Sequence, residues 1–251
     1  MTRGRVFGGF LCQTQSWTLA NMLGAGVRYL DIRNRRSGEV FAIHHGPCFQ
    51  KITFGEVLDA VNGFLAAHPS EALVMRVKEE HTPAPGSLDF RHIWDAYMAK
   101  GGSRFAGASD HVPALGALRG KVFVLRDADV GAYGMAFTDA KVKLQDAWNV
   151  YPATEEFPYG PDSVSTPQKL RLVSAHLAAA SDDNPAGANL YLNHVSGATG
   201  VSPAEFARQA NRHVHDELAG AREKRSLGIV IMDFPGEHLI HEILKTNFAP
   251  E

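Results

Sequence analysis

Three side chains near the start of the chain have types and spacing that suit work on a phosphate: Asp31, Arg33 and His45. Asp31 and Arg33 are two residues apart, so on a β-strand they point to the same face. His45 closes a second apolar run, VFAIHH, just before Gly46 and Pro47. An arginine fork holds two phosphate oxygens, an imidazole moves a proton, and a carboxylate orients either one. A surface ion pair and a turn histidine would leave the same signature, and spacing alone does not separate the two readings.

These residues need strands to carry them. Val27 to Ile32 alternates as a strand does, the polar stretch Asn34 to Gly38 breaks the pattern, and Val40 to Ile43 resumes it. Helices are expected over Gln13–Gly24, over Thr53–His68 with Thr53 and Glu56 in capping-box spacing, and over Phe90–Lys100, Gln168–Ala180, Ala204–Leu218 and Gly236–Lys245. Strands are expected at Ala72–Val77, Lys121–Leu125, Val142–Gln145, Leu190–Asn193 and Leu227–Met232. The Pro- and Gly-containing stretch Val150 to Pro167 is expected as a long loop. Strands alternating with helices over 251 residues favour one α/β barrel over a doubly wound sheet, with residues 1–251 as a single domain. Polar residues gather at the strand C-terminal ends: Asp31, Arg33, His45, Lys78, Arg126, Asp146, His194 and Asp233. Barrel enzymes place their sites at that end.

Composition narrows the classes. A net charge of -2 argues against a broad basic surface for nucleic acid but leaves room for one phosphate in a pocket. No run is long enough to cross a bilayer, and the opening MTRGRVFGGFL is too brief for an export signal. Cys12 and Cys48 follow no zinc spacing; the sequence leaves their pairing open, with two free buried thiols the expected state.

The stretches LDIRNR (30–35), IHHGP (43–47), FLAAHPSEALVMRVKEE (64–80), KVFVLR (121–126), LQDAW (144–148) and VIMDF (230–234) fall in an order that resembles the X domain of bacterial phosphatidylinositol-specific phospholipase C, over roughly residues 12–245. The resemblance implies a distorted, incompletely closed (β/α)8 barrel of the TIM type. It implies attack of the inositol 2-hydroxyl on phosphorus, which gives diacylglycerol and a cyclic inositol phosphate. In that frame His45 is the general acid, Arg33 binds the phosphate in place of the calcium of metal-dependent relatives, and Asp31 orients Arg33. Asp233 orients a general-base histidine. Lys78, Arg126 and Asp146 line the inositol pocket with Trp148 against the sugar, and His194 is a further substrate contact. No cofactor and no metal ligand set is implied. The expected partners are phosphatidylinositol or a related inositol lipid and a membrane surface, with no nucleic acid, and the chain is expected as a monomer. Members of the family are commonly secreted.

One departure stands out. The family's first strand ends in a G-T-H-D-S-like motif that supplies the base histidine and a carboxylate for the acid histidine. This chain has no histidine before His44. The expectation is therefore a barrel missing its first strand, with weak or no turnover and with His45 lacking its carboxylate. A truncated sequence and a natural loss both stay open. Two other readings remain: a barrel that binds an anionic headgroup without cleaving it, and a metal-dependent phosphodiesterase of the same superfamily.

Overall fold

A computed structural model describes residues 11–152, 160, 162–182, 187–199, 201–219 and 224–248. The stretch expected to lack the family's first strand lies largely outside these residues, as does much of the 150–167 segment. The chain divides into two compact units, residues 1–139 and 140–251.

The first unit runs α1 (Leu19–Gly24), β1 (Tyr29–Ser37), β2 (Val40–His45), β3 (Cys48–Thr53), α2 (Phe54–Ala67), β4 (Leu73–Glu79), α3 (Phe90–Gly101), α4 (Leu115–Leu118), β5 (Val122–Asp127) and β6 (Met135–Ala136). Its six strands form one sheet in the order β3-β2-β1-β4-β5-β6. β1, β4, β5 and β6 are parallel, while β2 and β3 fold back as antiparallel hairpins. The helix expected over Gln13–Gly24 is only its last turn and a half, opened by Thr18, whose hydroxyl accepts from the Asn21 N–H. The expected break at Asn34 to Gly38 is a continuation of β1. Asn34 to Ser37 pairs with Val40 to Ile43, and only Gly38 and Glu39 turn. Gly38 has a φ of 63°, which a two-residue hairpin favours at its first position.

Helix α2 has the expected capping box. The Thr53 hydroxyl accepts from the Glu56 N–H, and the Glu56 carboxylate accepts from the Thr53 N–H at 3.0 Å. Alternation along β1 buries Leu30, Ile32 and Asn34 on the face that meets the helices and leaves Asp31 and Arg33 on the other. Ile32, Val77, Phe41, Phe54 and Trp94 form the core on the helical side. Each such large apolar side chain contributes about 1.5–3 kcal/mol by leaving water.

Cys12 and Cys48 form a disulfide, with their Cα atoms 6.2 Å apart. The expectation of two free thiols is overturned. The polar residues of β3 hid its strand character in the sequence, and that strand brings Cys48 within reach of Cys12.

The second unit contains β7 (Val142–Gln145), β8 (Asn149–Tyr151), β9 (Val164–Ser165), α5 (Thr166–Asp182), β10 (Leu190–His194), β11 (Ala198–Thr199), α6 (Pro203–Leu218), β12 (Ile229–Ile231) and α7 (Glu237–Lys245). Two three-stranded parallel sheets, β12-β10-β7 and β11-β8-β9, pack on its helices. Helix α6 begins at Pro203 behind Ser202, whose hydroxyl accepts from the Glu205 N–H. Its buried residues Phe206, Ala210 and Val214 meet Val173 and Leu177 of α5 in a second core. No described helix is long and apolar enough to cross a membrane.

Candidate active site

In the first unit the parallel register aligns charge in rows. Asp31 lies opposite Arg76, and Arg33 lies opposite Lys78, which in turn lies opposite Asp127. Partners across a parallel pair share a face, so these five side chains emerge together beyond the core. Arg33 reaches Asp31 at 3.2 Å and Glu80 at 3.6 Å. Lys78 reaches the other Glu80 oxygen at 3.2 Å. Arg76, nearly fully buried, pairs with Asp127 at 2.5 Å and Asp31 at 3.5 Å, and its guanidinium lies 3.9 Å from the centre of the Phe137 ring. The result is a lattice of alternating charge in which each cation has a carboxylate, and the partly exposed pairs can exchange those carboxylates for an incoming anion.

Glu80 ties the hairpin to this lattice. Gly46, with a φ of 54°, turns its N–H to donate to Glu80 Oε1 at 2.9 Å. Burial raises the Glu80 pKa, but the Gly46 N–H and the charges of Arg33 and Lys78 more than offset this and hold it below 4.5. The same turn sets down His45, half-buried, with Nδ1 3.1 Å from the Cys12 carbonyl oxygen. Burial lowers the His45 pKa, the Cys12 contact and Glu80 raise it, and Arg33 lowers it, for a net value below 6.5. His44 is buried beside the rings of Phe49 and His81.

Arg126 departs from the expected set. It lies opposite Val77, in the row of the core face, so it points away from Arg33 and Lys78. Its guanidinium donates to the Gly131 carbonyl at 3.4 Å. A one-residue step along a strand reverses the face, so Asp127 rather than Arg126 shares the row of Arg33 and Lys78.

In the second unit, Asp146 directly follows β7, His194 ends β10 and Asp233 lies two residues beyond β12. His194 Nδ1 is 3.8 Å from Asp146 Oδ1. His194 is buried, and its main-chain carbonyl accepts from Lys169 Nζ at 2.5 Å. The ring of His194, expected as a substrate contact, packs inside and faces Asp146. Lys169 of α5 is 0% exposed and also donates to Gln145 Oε1 at 3.1 Å. Burial lowers its pKa from 10.5 to about 8, against the raising effect of Asp146 and Asp233. The turn carrying Asp233 is held by Asn211, whose side-chain amide donates to the Asp233 and Phe234 carbonyls at 2.9 and 3.1 Å. Trp148 is 59% exposed, and its main-chain N–H donates to the Asp146 carbonyl at 3.0 Å. Among the described residues no three His, Cys, Asp or Glu side chains gather as a metal set.

Sequence reasoning missed Arg76, Glu80, Asp127 and Lys169. The first two had a signal: Arg76, Lys78 and Glu80 alternate along one strand, a period-two run of charge. Lys169 had none, because a lysine in a helix reads as solvated until tertiary packing buries it.

The architecture shared with solved structures is the expected class, an α/β fold of the distorted (β/α)8 TIM-barrel type. The phosphatidylinositol-specific phospholipase C of Listeria monocytogenes matches at a TM-score of 0.75 with 27% identity, over 94% of this chain and 84% of that one. A variant of the Staphylococcus aureus protein of the same name matches at 0.79 with 22% identity, over 96% and 86%, a likeness of fold alone. Residues 7–127 match the description "Phosphatidylinositol-specific phospholipase C, X domain". The 1-phosphatidylinositol phosphodiesterase of L. monocytogenes is 31% identical over 94% of this chain and 73% of its own length, and that of S. aureus strain Newman is 25% identical over 94% and 82%. The chain belongs to the bacterial phosphatidylinositol-specific phospholipase C family.

Proposed function

We propose that the chain is a phosphoric diester lyase that cleaves phosphatidylinositol at a membrane surface to diacylglycerol and a cyclic inositol phosphate, with residues 1–251 acting as one catalytic domain. The observation that carries this reading is the row of Arg33 and Lys78 on one sheet face, tied through Glu80 to the turn that presents His45.

Arg33 exchanges a carboxylate contact for two phosphate oxygens and stabilises charge that builds on them in the transition state. Asp31 holds the guanidinium in plane. His45 gives a proton to the diacylglycerol oxygen as the phosphorus–oxygen bond breaks. Lys78 and Asp146 bind inositol hydroxyls, and the exposed Trp148 indole offers a flat apolar face to the sugar ring. Asp233 serves the base half of the reaction. Arg126 drops out of the substrate contacts because of its register, and His194 because of its burial.

The decisive experiment measures phosphatidylinositol turnover by this chain and by His45→Ala, with and without chelator, and follows phosphorus by NMR. Slow formation of a cyclic phosphate, lost in His45→Ala and insensitive to chelator, is the expected result. Full turnover in His45→Ala would sink the acid role. Loss of turnover on chelation would revive a metal-dependent phosphodiesterase.

A second reading is headgroup binding without cleavage, since Arg33 and Lys78 offer their cations to an anion whether or not a proton is moved. It predicts saturable binding of inositol phosphate with no product at high protein concentration.

A further inference from the structure

We propose that the main-chain carbonyl of Cys12, pinned in place by the Cys12–Cys48 disulfide, is the positioning group that fixes the tautomer and orientation of His45. As a role for the acid histidine it rests on the proposed activity; as a statement about the imidazole it does not.

The geometry is a closed path of short links. His45 and Cys48 face each other across the two-residue turn Gly46–Pro47. The disulfide joins Cys48 to Cys12, 36 residues away in sequence. The Cys12 carbonyl oxygen then lies 3.1 Å from His45 Nδ1. A carbonyl only accepts hydrogen bonds, so Nδ1 is the nitrogen that carries the proton, and Nε2 is left to face chemistry. A carboxylate partner does the same, but with a full negative charge. The carbonyl brings only a dipole and supports the imidazolium less.

The charged groups around His45 fit this difference. Arg33 on β1 opposes the imidazolium, Glu80 beyond β4 favours it, and Lys78 shares that Glu80 carboxylate. Together with burial they leave the ring below its ordinary 6.5. The neutral ring, with Nε2 unprotonated, is therefore favoured more than in an unperturbed imidazole. The form able to donate from Nε2 grows as pH falls, so turnover gains on mild acidification, where a carboxylate-paired histidine would already be charged.

The test uses the full chain with nitrogen-15 in its histidines. In the oxidised protein at pH 7.5 or so, the expected His45 spectrum is that of the neutral Nδ1–H tautomer. Breaking the disulfide by Cys12→Ser with Cys48→Ser should release the carbonyl, mix in the Nε2–H tautomer and lower phosphatidylinositol turnover by roughly tenfold, part of the ~10²–10⁴ that a general acid supplies. Dithiothreitol on the folded protein makes the same break without substitution. The protein disulfide takes up two electrons and two protons to become two thiols, and the reagent closes to its cyclic disulfide.

An Nε2–H tautomer in the oxidised protein overturns the proposal, as does an unchanged tautomer and pH profile after the break. Should the serine pair fail to fold, the reduced wild type and the tautomer of the oxidised protein decide. If the oxidised protein turns over no phosphatidylinositol at any pH, the activity fails while the tautomer still decides the positioning claim.

Discussion

The two units of the chain handle charge in opposite ways. In the first, Arg33 and Lys78 are each about one-third exposed at the side chain and share Glu80. In the second, Lys169 has no exposure at all and is held by a side-chain amide and a main-chain carbonyl, with Asp146 and Asp233 acting on it through space. Half-exposed pairs cost little to rearrange, because water and a new anion replace what is lost. A buried ammonium has no such substitute. The first arrangement suits binding and release of a phosphate, and the second suits holding a loop end still.

That contrast can be broken by substitution. The largest effect is expected on the exposed side and on rate. Arg33→Ala should lower phosphatidylinositol turnover by about 10²–10³, as loss of one transition-state donor does, with little change in the melting curve. A large fall in melting temperature with intact turnover would reverse the assignment. On the buried side the effect should appear in stability. Lys169→Met removes one hydrogen bond from Gln145 Oε1, which keeps the Ala147 N–H, and one from the His194 carbonyl, which keeps the Gln145 amide, at about 0.5–1.5 kcal/mol apiece in urea unfolding. An unfolding free energy equal to wild type would mean that Lys169 only fills space.

Titration sharpens the same comparison. Because the folded-state Lys169 pKa lies near 8 and the reference value is 10.5, the unfolded chain holds that proton longer. Stability should therefore rise as pH climbs from about 8 toward 10.5, by about one proton's slope, and Lys169→Met should lack that rise. At the acid end burial holds His44, His45 and His176 below 6.5, so the unfolded chain takes up their protons first. Stability is then full above 6.5 and falls as pH drops through the folded-state values; a flat acid limb in urea titrations would contradict this. The smallest effect is expected for Lys78→Met: a partly exposed ion pair contributes about 0–1 kcal/mol, so unfolding should barely move while inositol phosphate binding weakens.

Much of this was legible in the sequence, for local reasons. The Thr53–Glu56 capping box and the apolar strand runs depend on neighbours within a few residues, and each forms where expected. Asp31, Arg33, His45 and Lys78 were identifiable because two-residue spacing fixes a face and motif order fixes a place. The β1–β2 hairpin was mistimed, since arginines at Arg35 and Arg36 read as loop although their long side chains reach Thr82, Glu79 and Leu88 from a paired strand. The face of Arg126 was not legible, because a strand end read without its register is uncertain by one residue, and one residue is a whole face.

The sequence by itself determined the α/β class, the family and the identity of the charges at the strand ends. Those follow from periodicity and from the order of short motifs along one chain. Only the tertiary structure decided which charges meet: that Asp127 rather than Arg126 shares the row with Arg33 and Lys78, that Lys169 is buried, that Glu80 links the hairpin to the cations, and that Cys12 pairs with Cys48. Each of these depends on residues far apart in sequence brought together by register and packing, which local spacing does not fix.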